Sequence, residues 1–178
     1  MLVAIRLWRT GLDTEQLMRI GLSLGADVPF FLGGRNAWVE GIGEKLAPVE
    51  LPEGRFAVIK PAGGLETRRI FTDPALQRST ETAIISGFAA NPFAFGRNDL
   101  QPVAERLLPG ISEALAWLAS QGLSGRMTGS GSAVFAPLLG GQSIQGLPPA
   151  GWQLKVCSNL DVHPLWGWAP SDGSSVAG

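Results

Sequence analysis

Apolar residues recur at helical spacing near the start of the chain, then in short runs broken by glycine, then in a helical hairpin. Met1 to Ile5, with Leu7 and Trp8, reads as the last turns of a buried helix, because no cap or polar lead-in precedes it. That opening leads us to expect a missing segment upstream. A well-specified helix follows. Asp13 is a good N-cap, Gln16 completes a capping box, and Leu12 and Leu17 have the spacing of a hydrophobic staple. Leu17, Ile20, Leu22 and Leu24 supply its apolar surface, and Gly25 ends it.

Residues 28–60 read as strands and turns. Phe30-Phe31-Leu32 runs into Gly33-Gly34, Ala37-Trp38-Val39 runs into Gly41-Ile42-Gly43, and Phe56 to Ile59 is a buried strand ending at Lys60-Pro61. Residues 72–97 carry no strong period. Asn98 then caps a helical hairpin, with Leu100, Val103, Leu107 and Leu108 on one arm and Ile111, Leu115 and Leu118 on the other, broken at Pro109-Gly110. Arg126 to Thr128, Gly129 to Ser132 and Ala133 to Ala136 read as strand, glycine turn and strand, and Trp152 to Cys157 as a last strand. The Gly/Ser-rich tail from Ala169 is expected to be disordered. The order predicts an α+β fold, with a ferredoxin-like half-sandwich from about residue 46 onward.

Composition narrows the class of function. Of 178 residues, 45% are hydrophobic and 16% charged, so a packed core is within reach. The net charge of −1 gives no electrostatic footprint for nucleic acid or an acidic membrane surface, which leaves a small-molecule partner. No run approaches the ~18 apolar residues of a membrane span, and the N-terminus is no secretory signal, so a cytoplasmic protein is expected. The single cysteine, Cys157, reads as a buried small hydrophobe, since the one histidine, His163, is its sole possible catalytic partner. Trp38, Trp117, Trp152 and Trp168 read as packing residues.

Two segments carry candidate chemistry. In Gly25-Ala26-Asp27-Val28-Pro29 the aspartate sits between a helix stop and a proline, so its backbone is pinned on both sides. A carboxylate fixed that way can accept or orient a hydroxyl proton. The plain alternative is a turn aspartate bonding its own backbone, and by spacing alone that is the commoner case. Gly129-Ser130-Gly131-Ser132 can bring backbone N–H groups and hydroxyls close to an anion. It is neither a Walker loop nor a dinucleotide fingerprint, and its plain alternative is a flexible hairpin turn.

Together these blocks say more. Gly25 to Phe31, Glu40-Gly41-Ile42-Gly43-Glu44, Phe95 to Leu100, Gly122-Leu123-Ser124 and Arg126 to Phe135, in that order, resemble the 4-diphosphocytidyl-2-C-methyl-D-erythritol kinases of the galactokinase/homoserine kinase/mevalonate kinase superfamily. The resemblance runs from about Leu2 to Trp168. It implies transfer of the γ-phosphate of ATP to the 2-hydroxyl of the methylerythritol unit, a step in non-mevalonate isoprenoid synthesis. Asp27 would be the base or orienting group for that hydroxyl. Thr67 and Phe71 would lie on the substrate side, Phe71 stacking on the cytosine, with core packing as its alternative. Gly129, Ser130, Gly131 and Ser132 would support the phosphate region. ATP is implied as cosubstrate, Mg²⁺ only through ATP, and no protein metal site is expected. The implied architecture is the tail of a ribosomal-protein-S5-like N-terminal domain (1–46), a ferredoxin-like C-terminal domain (47–168) and a disordered tail (169–178).

The departures from that family are large. The sequence holds no tyrosine, no early lysine ahead of the aspartate, and no Pro-x-x-x-Gly-Leu-Gly-Gly-Gly-Ser-Ser loop able to cradle phosphates at a helix start. Phosphoryl transfer is mostly positioning and charge stabilisation, so this chain alone is expected to be an inactive, N-truncated form. Its first 46 residues, deprived of partners, are expected to self-associate or to be poorly ordered, while 47–168 folds. Two other readings stay open: a cytidine-nucleotide-binding module without catalysis, and a structural remnant.

Overall fold

A computed structural model describes residues 10–164 and 166. The expectations for Met1 to Trp8, for Trp168 and for the tail from residue 169 lie outside the described residues. The chain divides into two compact units, one of Met1–Pro52 with Leu160–Gly178, the other of Glu53–Asn159.

In the first unit, α1 (Thr14–Leu24) begins with the expected capping box. Asp13 Oδ1 accepts from the Gln16 backbone N–H at 2.7 Å, and Gln16 Oε1 accepts from the Asp13 N–H at 2.9 Å. Leu17 is its buried anchor, 1% exposed. A Cβ on Gly21 would lie 3.0 Å from Val28 Cγ1 and 2.7 Å from Leu32 Cδ1, so this glycine lets the next helix pack closely. That helix, α2 (Val28–Gly33), corrects the strand expected at Phe30-Phe31-Leu32. Pro29 sits in its first turn, where proline's fixed φ suits a helix and its missing N–H costs nothing. Gly34, at φ 66°, closes it by donating to the Phe30 carbonyl at 3.1 Å. The antiparallel ribbon β1 (Ala37–Glu40) and β2 (Lys45–Pro48) follows, with Trp38 opposite Ala47.

The second unit is built on an antiparallel sheet in the order β4-β5-β3-β6. At its centre β3 (Arg55–Lys60) alternates so that Ala57 and Ile59 are wholly buried. It pairs with β5 (Val134–Pro137) on one side and β6 (Gln153–Ser158) on the other, and β4 (Arg126–Met127) extends β5. The helices are α3 (Thr67–Phe71), α4 (Ile85–Ala90), α5 (Gln101–Leu107) and α6 (Gly110–Ser120). Ile70, Val103, Ala104, Ile111, Ala114 and Leu118 join Ala57, Ile59, Val134 and Ala136 in one core, against which Trp117 and Trp152 pack. Pro109 and Gly110 break the hairpin as expected, since α5 ends at Leu107 and α6 starts at Gly110.

Three expectations change here. Cys157 is exposed rather than buried, because among the described residues β6 is bonded only to β3 and leaves most of its side chains to solvent. Residues 72–97 are not wholly irregular: α4 forms within them, without a single buried residue. Asn98 is not the cap of α5, whose N-cap is Leu100. Its Oδ1 accepts from the Leu100 N–H at 3.0 Å, two positions ahead, while its Nδ2 is committed elsewhere.

Candidate functional site

Asp27 occupies the short turn between α1 and α2. Gly25 donates to the Gly21 carbonyl and Val28 to the Gly25 carbonyl, both at 3.1 Å, so the main chain on either side is tied. A third constraint comes from the ribbon turn. Gly43 (φ 111°) lies so close that a Cβ there would fall 2.1 Å from the Ala26 carbonyl oxygen. Only glycine permits both that φ and that approach. Glu44 holds the same turn by accepting the Ile42 N–H at 2.7 Å. The main-chain N–H groups around it, its own first and that of Ile42 next, keep its carboxyl below the usual glutamate range.

The Asp27 side chain itself is exposed and does not cap α2. Among the described residues no hydrogen bond holds its carboxylate. The plain alternative, a turn aspartate bonding its own backbone, is therefore not what forms. A pinned main chain carries an unengaged carboxylate.

The second unit assembles the remaining candidates. The turn between β4 and β5 is closed by Thr128 donating to Ala133 O and Gly131 donating to Thr128 O, each at 3.0 Å. Gly129 and Gly131 take positive φ, 54° and 88°, and a Cβ on Gly131 would meet Met127 Sδ at 2.8 Å. Asn98 Nδ2 clamps the turn from outside, donating to Met127 O at 3.0 Å and Gly129 O at 2.7 Å. This is no flexible hairpin. Ser132 is 6% exposed and among the described residues its hydroxyl lacks a hydrogen-bond partner, an uncommon state for a buried oxygen.

Ser130 reaches the other way: its Oγ lies 2.8 Å from Thr67 Oγ1, the first residue of α3. Phe71 follows Thr67 by four residues, hence on the same helix face. Ile70 is the fully buried anchor of α3, whereas Phe71 is 52% exposed, so core packing is not its role. Thr67, Phe71 and the glycine turn are thus joined in one unit, and Asp27 belongs to the other. The Thr67–Ser130 bond spans 63 positions and leaves no mark in sequence spacing. The Asn98 clamp could have been sought, because a short amide side chain ahead of a helix commonly bonds nearby main chain.

Among the described residues no group of three or more His, Cys, Asp or Glu could hold a metal ion, and no helix is long and apolar enough to cross a membrane. The orphaned Ser132 hydroxyl and the positive-φ glycines beside it suit a phosphate-proximal loop.

Residues 83–141 match the family described as GHMP kinases C terminal. The chain is similar to part of the length of proteins of that kinase class. Within it, the chain is 68% identical over 170 residues to a 4-diphosphocytidyl-2-C-methyl-D-erythritol kinase of Albidiferax ferrireducens, covering 96% of this chain and 59% of that protein. It is 58% identical to the kinase of the same name from Variovorax paradoxus, covering 92% of this chain and 61% of that one. A crystal structure of 4-(cytidine 5'-diphospho)-2C-methyl-D-erythritol kinase superposes with a TM-score of 0.63 at 31% identity, over 78% of this chain and 53% of that one. The chain spans about 60% of the length of the curated relatives it matches.

Proposed function

We propose that these residues belong to an ATP-dependent kinase that phosphorylates the 2-hydroxyl of 4-diphosphocytidyl-2-C-methyl-D-erythritol. The observation that carries the reading is the unengaged carboxylate of Asp27 on a main chain fixed from three directions. A base must be held still yet free of other bonds to accept or orient a substrate hydroxyl. Thr67 and the exposed ring of Phe71 take the cytidine end, where stacking on an aromatic is worth about 1–3 kcal/mol per base. Gly129 to Ser132 steady the phosphate region. ATP supplies the phosphoryl group and carries its own Mg²⁺.

The finer architecture belongs to the same reading. Residues 1–46 are the tail of an S5-like domain, 47–168 a ferredoxin-like domain, and 169–178 a tail. The 178 residues alone do not transfer phosphate, because nothing in their sequence replaces a glycine-rich phosphate loop or its lysine. The first part self-associates, and the protein is cytoplasmic.

One experiment tests the core of this. The chain is assayed alone and as a chimera replacing the aligned portion of the Albidiferax ferrireducens kinase. The chimera should turn over and the chain alone should not. Asp27→Asn in the chimera should lower kcat by about 10²–10⁴-fold with little change in KM, as expected for loss of a general base. A chimera unaffected by Asp27→Asn refutes the role of Asp27. Turnover by the chain alone, at rates comparable to the chimera, refutes its inactivity.

A further inference from the structure

The second unit contains a cavity of about 840 Å³ that none of Asp27, Thr67, Phe71 or residues 129–132 lines. Its size is that of a small-molecule site. Phe93, Pro137 and Leu139 give it apolar wall, and its charged lining residues are Arg97, Asp99 and Arg126. Arg97 is neutralised by Asp99, with Nε donating to Oδ1 at 2.8 Å. Arg126 is not.

Arg126 is half-buried at the start of the strand pair, its guanidinium against the Phe135 ring at 5.2 Å. It donates Nη1–H groups to the Phe95 and Gly96 carbonyls and an Nη2–H to Phe93 O at 3.4 Å. A guanidinium has five N–H donors. Its Nε–H and second Nη2–H have no partner, and no carboxylate opposes its charge, among the described residues. Burial alone acts on its ionisation, pushing it downward. A partly desolvated cation with spare donors, facing an apolar-walled cavity, is built to receive an oxyanion, most strongly through two parallel N–H bonds.

We propose that this cavity binds a small organic anion, a carboxylate or phosphate carried on an apolar ring, with the anionic group on Arg126 and the ring against Phe93 and Leu139. The proposal does not depend on the kinase reading. The simpler role for Arg126, tying down the 93–96 segment, uses the three donors already engaged and leaves the cavity and the remaining two unexplained.

The test is calorimetric titration of the chain with benzoate and with phenyl phosphate at low salt, and with inorganic phosphate as the ring-free probe. Saturable one-to-one binding of at least one aryl anion is expected, with inorganic phosphate at least about tenfold weaker. Ser124 and Gln77 line the cavity and are exposed, so Ser124→Glu and Gln77→Glu add a repelling carboxylate without disturbing the core. Each should weaken the aryl anion by about tenfold or more. Arg126→Met should abolish binding, and where that variant does not fold the two glutamate variants decide. No saturation by either aryl anion up to about 10 mM, or affinity unmoved by both glutamate variants, overturns the proposal. Equal affinity for inorganic phosphate overturns the role of the ring.

Discussion

The two units of this chain keep their order by different means. In the Glu53–Asn159 unit, order comes from a core: strands and helices contribute side chains that are wholly buried, Ile59, Ile70, Ile111, Leu118 and Val134 among them. In the other unit, Leu17 and Pro29 are the large side chains fully buried among the described residues, while Ile20, Leu24, Phe31 and Ile42 are exposed. What fixes that unit is local: a capping box, a proline in the first turn of a helix, and two glycines that admit close neighbours. The lesson concerns Asp27. A candidate base in such a unit is placed by main-chain geometry and not by a packed scaffold, so different substitutions should disturb it.

The largest expected effect is in the core unit. Ile59→Ala removes a fully buried side chain from the central strand and should cost about 2–5 kcal/mol of that unit's stability. Chemical denaturation read by hydrogen exchange should register the loss across β3, β5 and α6, with protection around α1 unchanged. A uniform loss in both units would mean that they unfold as one and would break the distinction.

Next comes the converse. Gly43→Ala places a Cβ 2.1 Å from the Ala26 carbonyl oxygen at a φ of 111°, so the main chain beside Asp27 must move. Strain of this kind costs on the order of 1–3 kcal/mol. Protection of the core unit should be untouched, while kcat of the chimera described above falls by roughly tenfold or more, since small misplacement of a reacting group is costly. If kcat is unchanged, local geometry is not what places Asp27.

How much of this was legible in the sequence follows the same division. Devices built from neighbours could be read: Asp13 with Gln16, the stop at Gly25, the break at Pro109-Gly110, and the glycine turn between Met127 and Val134. Where a short apolar run admits either helix or strand, composition misled. Phe30 to Leu32 looked like a strand, and the deciding signals were Pro29 before it and Gly34 after it. Cys157 was misjudged because burial of a strand depends on which partners flank it, and β6 lies at an edge. In the site, the pinned turn of Asp27 was visible from Gly25 and Pro29. The approach of Gly43, the clamp from Asn98 and the Thr67–Ser130 bond join residues far apart in the chain, beyond any local pattern.

That last bond offers a smaller test within the core unit. Ser130→Ala removes the hydroxyl facing Thr67, an exposed pair, and should cost about 0.5–1.5 kcal/mol at most. The loss should appear as raised exchange of the 67–71 amides relative to β3. Equal protection in parent and variant would show that α3 is held by Ile70 alone.

The smallest effects are electrostatic, and each unit has one. Asp73, just after α3, accepts the Ala75 N–H at 2.9 Å and pairs with Arg106, which together hold its carboxyl below the usual aspartate range, the main-chain bond first. Glu44 is lowered chiefly by main-chain N–H groups in the ribbon turn beside Ala26. For a group whose folded pKa is depressed, stabilisation is whole above the unfolded pKa and lost as pH falls through the folded one. Asp73→Asn should therefore lower stability at neutral pH, and the gap to the parent should close as pH drops below the ordinary carboxylate range. Glu44→Gln should behave the same way in the first unit. The two differ in salt response: Asp73 has a cationic partner and should lose part of its effect in high salt, whereas Glu44, held mainly by N–H dipoles, should lose less. Melting of both variants from pH 2.5 to 7, at low and high salt, would settle it. If Glu44→Gln proves the more salt-sensitive, side-chain ion pairing and not main-chain geometry governs the turn against Ala26, and the contrast between the units fails where it matters most for Asp27.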